Sequence, residues 1–84
     1  MNPADAAWEE RLAAHWATLD DANAEVFIEQ LDALLGAWRP PVAIAHFERA
    51  AAQDSTGHPD LAVPLYEAAL GAGLAGPRRR RAVI

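Results

Sequence analysis

The sequence predicts an all-helical fold: two antiparallel helical hairpins followed by the start of a fifth helix. Three observations carry this reading. Apolar residues recur at three- and four-residue spacing in successive stretches, no stretch alternates with the period of a strand, and alanine is abundant while β-branched residues are sparse. With 84 residues and no cysteine, the chain is one small domain without disulfides. A domain of this size buries only about 60 to 65% of its unfolded surface, so its stability rests on a few contacts.

The first helix is expected from Pro3 to Leu19. Asn2 caps it, Pro3 takes the first position and Asp5 lies in the first turn. Trp8, Leu12, Trp16 and Leu19 form its apolar stripe. Asp20, Asp21 and Asn23 make a turn with a cap, and a second helix buries Phe27, Leu31, Leu34 and Leu35 before Gly36 ends it. Trp38, Pro40 and Pro41 form a joint, because paired prolines stop a helix from running through. Pro41 can then open the next helix at its first turn.

The stretch from Ile44 to Leu70 organises the rest. Ile44, Phe47 and Ala51, flanked by Ala50 and Ala52, give a mostly alanine stripe that permits close approach of a neighbour. The side chains of Asp54, Ser55 and Thr56 can bond nearby backbone groups, and Gly57 can take positive φ, so the helix ends there. Pro59 suits the start of the following helix and Asp60 its positive end. Pro64 removes a backbone hydrogen bond and crowds the Asp60 carbonyl, so that helix either starts late or bends. Gly71 to Pro77 reads as a glycine-rich loop, and Arg78 to Ile84 as the first turn of a further helix.

This string resembles a repeat family. Phe47-Glu48-Arg49-Ala50, Asp54-Ser55 and Gly57, then Ala62-Val63-Pro64-Leu65-Tyr66, Ala69-Leu70, Gly73-Leu74 and Arg78 to Ala82 are similar to a bacterial subgroup of small tetratricopeptide-repeat proteins. In the general repeat the first helix carries a tryptophan, a leucine and a tyrosine where this chain has His46, Arg49 and Gln53. The resemblance implies stacked helical hairpins of the α-solenoid type, a peptide-binding role, and a chain that holds only part of such an array. It implies repeat packing by Phe47, Ala50, Gly57, Ala62, Leu65, Tyr66, Ala69 and Leu70. The expected division is residues 1–40 as a capping hairpin, 41–76 as the repeat-like hairpin and loop, and 77–84 as the start of the next helix.

The polar groups point to no catalytic, metal or cofactor site. His15, His46 and His58, with Glu48 and Asp60, contain no pair at the helical three- or four-residue spacing that metal ligands need. Asp54 and Ser55 serve the turn, and no histidine is placed by sequence to activate the serine. Glu9 with Glu10, and Asp20 with Asp21, are adjacent pairs whose side chains diverge.

The charge is uneven. All twelve acidic residues precede Gly71, and four of the seven arginines are Arg78, Arg79, Arg80 and Arg81. Two functions follow. The first is a non-enzymatic scaffold that binds a peptide, a helix or a second copy of itself, with Leu74, Arg78 to Arg81, Val83 and Ile84 as the interaction residues. The alternative is a nucleic-acid-binding or regulatory accessory protein that uses the arginine run on phosphates. Met1 to Asp5 lack the basic start and apolar core of a signal peptide, and no run approaches bilayer-spanning length, so the chain is expected to be cytoplasmic with no membrane partner.

Overall fold

The computed structural model describes residues 3–83, and the described residues form five α-helices and one 3₁₀ turn with no strand. The helices are α1 (Pro3–Trp16), α2 (Ala24–Trp38), α3 (Val42–Ser55), α4 (Pro59–Gly71) and α5 (Pro77–Ala82). The chain divides into two compact units between Trp38 and Arg39.

In the first unit, α1 stops at Trp16, short of the expected Leu19. The chain tightens instead: the Thr18 N–H and Oγ1 both bond the His15 carbonyl, and Leu19–Asp21 forms the 3₁₀ turn. The expected Asn2 cap lies outside the described residues. Asn23 does cap α2, its Oδ1 accepting the N–H groups of Glu25 at 2.9 Å and Val26 at 3.3 Å. Phe27, Leu31 and Leu35 are buried as their spacing requires, while Leu34 is half-buried. Of the α1 stripe only Leu12 is buried; Trp8, Trp16 and Leu19 are half-exposed. Phe27 is held by two rings of α1, with His15 stacked at 4.3 Å and Trp16 edge-on at 5.1 Å. The Phe27 carbonyl can only accept, so the His15 Nε2 at 2.9 Å carries the proton of that bond.

Gly36 does not end α2. The helix runs on to Trp38, whose indole N–H points at Asp5 Oδ1 from 3.4 Å, and it ends only where Arg39 adopts φ 57° ahead of the two prolines. A glycine inside a helix costs about 1 kcal/mol, which the neighbouring buried Leu35 more than offsets.

The second unit is built on α3 and α4, which make the most extensive helix pair in the chain. Pro41 sits at the cap of α3, one position before the first turn, and its carbonyl accepts from Ile44 and Ala45. At the other end the Gly57 N–H bonds the Asp54 carbonyl and the His58 N–H bonds the Gln53 carbonyl, with Gly57 at φ 88°. This pair of reversed bonds is a Schellman motif, which satisfies carbonyls that the helix leaves open. Pro59 then occupies the start of α4 as its missing N–H predicts. The helix does not start late despite Pro64, which lies inside it. Asp60 and Pro64 are both exposed, so water can serve the carbonyl that proline leaves without a donor.

Between the two helices lie small side chains. Ala50 and Ala51 of α3 and Ala62 and Ala69 of α4 are all at most 3% exposed. Phe47, fully buried, meets the Tyr66 ring at 5.7 Å. Ala62→Leu or Ala69→Leu should therefore destabilise the protein by roughly 1 to 3 kcal/mol through overpacking. Ala6→Leu on the exposed face of α1 should leave stability nearly unchanged. Urea titrations of the three variants read the difference, and equal shifts at all three positions would contradict close packing of α3 on α4.

Candidate interaction surface at the C-terminal helix

The loop after α4 repeats the device that ends α3. The Gly73 N–H bonds the Leu70 carbonyl, the Leu74 N–H bonds the Ala69 carbonyl, and Gly73 has φ 90°. A Schellman turn brings the residue after its glycine back over the last helical turn, and an apolar residue there packs inward. Leu74 occupies that position and is only 3% exposed. This corrects the expectation that Leu74 is available to a partner: it closes the end of its own helix.

Gly76 follows with φ 72° and ψ −155°, a backbone region that glycine alone occupies readily. It turns the chain so that Pro77 can open α5, a helix that touches both α3 and α4. The four arginines then separate by helical geometry. Arg78 is directed inward, its Nε donating to Glu48 Oε2 at 3.2 Å, with the Glu48 side chain 5% exposed. One turn on, the Arg81 guanidinium lies 5.1 Å above the centre of the Phe47 ring, the geometry of a cation–π contact. Ala82 is buried beside them. Arg81 is nonetheless exposed, as are Arg79 and Arg80 on the remaining arc and Val83 after them. The run is therefore not a single basic patch, and Ile84 lies outside the described residues.

The sequence names Glu48 and Ala82 but does not place them in the core. Among the described residues Glu48 is the one charged residue at a buried position, and Arg78, which donates to it, is 30 residues away. The signal was present but faint: an acid adjoining Phe47 on a helix otherwise lined by alanine, and a surplus of arginines after Pro77.

Of the repeat-packing residues, Phe47, Ala50, Ala62 and Ala69 are buried, and Leu65, Tyr66 and Leu70 are half-buried. Gly57 is exposed and contributes its backbone conformation to the turn. Several polar candidates have local partners, whereas His46 Nδ1 is buried without a hydrogen-bond partner among the described residues. Thr56 Oγ1 bonds the Ala52 and Gln53 carbonyls and lies 3.3 Å from His58 Nδ1. The Tyr66 hydroxyl donates to Asp54 Oδ2 at 3.5 Å, which ties α4 back to the end of α3. His46, Arg49 and Gln53 share one stripe of α3, all half-buried.

With this geometry in place, comparison with known proteins gives one match. Residues 43–84 fit the family described as Tetratrico peptide repeat, which is half of the chain. The chain belongs to the tetratricopeptide-repeat family. The matched residues span α3, α4 and α5. No curated protein and no solved structure matches the chain. Among the described residues no helix is long and apolar enough to cross a membrane.

Two measurements probe this end of the repeat. Arg78→Ala strips a nearly buried carboxylate of a charged partner and should cost on the order of 1 to 3 kcal/mol. Arg79→Ala should cost almost nothing, and thermal melts of the pair would expose any error in the inward and outward assignment. Burial, then the charge of Asp54, holds the Tyr66 hydroxyl above its ordinary value of 10.0. The stabilisation linked to that raised value is fully present below about pH 10 and is lost as pH rises through the folded value. Tyr66 is the only tyrosine, so phenolate absorbance reads it alone: titration should fall above the ordinary range and move down in Asp54→Asn.

Proposed function

We propose that the chain is a non-enzymatic interaction scaffold that holds a peptide, a helix or a second copy of itself against the outer side of α5. The observation that carries this reading is the division of α5 into two faces. Arg78, Arg81 and Ala82 tie it to the repeat beneath, while Arg79, Arg80 and the 54% exposed Val83 point away. A repeat buries its own inner helix faces and offers its outer one to whatever stacks next, so this is where a further helical element gains most by packing. Membership in a family of stacked helical hairpins supports a binding role over a catalytic one.

The nucleic-acid alternative is less well supported. Binding by phosphate contacts gains from several cations on one surface, and here two of the four arginines are engaged inward. The overall charge of −5 works against approach to a polyanion.

A displayed library of helical peptides, selected on the immobilised protein, tests the reading. Selection should enrich amphipathic peptides whose binding weakens roughly tenfold or more in Val83→Asp, as expected when a charge is placed inside an apolar contact. Peptides that bind the wild type and this variant equally would place the surface elsewhere, and a selection that enriches none would remove the scaffold reading.

A further inference from the structure

The charge of the chain is partitioned between its two units. Residues 1–38 contain eight carboxylates and one arginine, a formal net of −7, while residues 39–84 contain six arginines and four carboxylates, a net of +2, which together give the −5 of the whole chain. Within the first unit, acidic side chains line one side of α2. Glu25, Glu29 and Asp32 fall at successive helical turns, all exposed, and Val26 beside them is 46% exposed. Within the second unit, three arginines of α5 are exposed; Arg81 is engaged over the Phe47 ring, which leaves Arg79 and Arg80, with the exposed Val83 just past the helix end, as the complementary set.

We propose that Arg79 and Arg80 of α5, with Val83 just past its end, dock on the Glu25, Val26 and Glu29 face of α2 in a second copy of the chain, so that copies associate head to tail. This rests on the scaffold reading and names its partner. Each surface offers two charges of one sign around a single valine, so the pairing places guanidinium against carboxylate and valine against valine. The charge-assisted hydrogen bonds of such pairs set orientation as well as attraction. Two α5 faces, or two α2 faces, would oppose like charges, which disfavours a symmetric dimer through either surface alone. The contact is heterologous: every copy that gives its α5 face keeps its α2 face, and assembly continues until it closes into a ring or forms a chain. Exposed charges attract over a Debye length of about 10 Å at 0.1 M salt, so association weakens as ionic strength rises.

Sedimentation velocity on the full chain, across a concentration series at low and high ionic strength, tests the proposal. The wild type should associate at low salt and return toward monomer at high salt. Arg79→Glu with Arg80→Glu should weaken association by roughly tenfold or more. Glu25→Arg with Glu29→Arg should do the same from the other side. All four positions are exposed, and circular dichroism checks that both variants remain folded. Mixed in equal amounts, the two variants again present opposite charges at every contact, so association should return. A wild type that stays monomeric at low salt, or a mixture that fails to regain association, overturns head-to-tail pairing. If peptides selected on the protein still depend on Val83 in that case, the scaffold reading stands and the partner is a different protein; if they do not, both readings fall.

Discussion

The second unit depends on how near α3 and α4 can come to each other. Ala50, Ala51, Ala62 and Ala69 contribute little side-chain volume, and the large apolar groups are few: buried Phe47 with the half-buried Tyr66 ring against it, and Leu74 after α4. Alanine is the best helix former and loses no side-chain entropy on burial, so a surface of alanines stabilises the helices and their contact together. The cost is a thin core. Each alanine removes little apolar area from water, and the unit compensates with directed contacts at its margins: the hydroxyl of Tyr66 on Asp54, the guanidinium of Arg78 on Glu48, and that of Arg81 on the Phe47 ring.

The same constraint explains the two Schellman turns. Helices packed this closely need a connection that reverses the chain within a few residues without leaving carbonyls unsatisfied. Gly57 and Gly73, both left-handed, provide it. After the first turn the chain enters Pro59 and returns along α3; after the second it buries Leu74 and reaches Gly76 and Pro77, which aim α5. One local rule, used twice, positions α4 and then α5.

The pattern of legibility follows from which forces are local. Caps, glycines and prolines act on their own neighbours, so Asn23, Gly57 and Pro59 could be assigned from the sequence. Gly36 was misread because its local cost is small beside the burial of Leu35 and the reach of Trp38 to Asp5, neither visible in a window of a few residues. Leu74 was misread for a related reason: a leucine between glycines looks like loop, and only the reversed hydrogen bonds after Gly73 turn it inward. Glu48 could not be assigned because its partner is 30 residues away, beyond any periodicity. The family resemblance did reach across that distance, since its string of residues runs from Phe47-Glu48 to Arg78, but it did not say that they touch.

The division of labour among the four arginines shows how one run of identical residues can hold a fold and offer a surface. Successive residues on a helix are separated by about 100°, so a run of four necessarily samples every side. Among the described residues Glu48 and the Phe47 ring are the partners of Arg78 and Arg81, and they suit a guanidinium well: a carboxylate able to accept its N–H groups and an aromatic face. Lysine would serve either inner role less well, lacking the planar fork for the first and the stacking surface for the second. Lysine is also absent from the whole chain, so every fixed cation it carries has this geometry. The outer arginines thus need no separate origin. They are what a helix start rich in arginine leaves facing outward once Glu48 and Phe47 have taken the two that face in, and their use as a docking surface follows from exposure and charge.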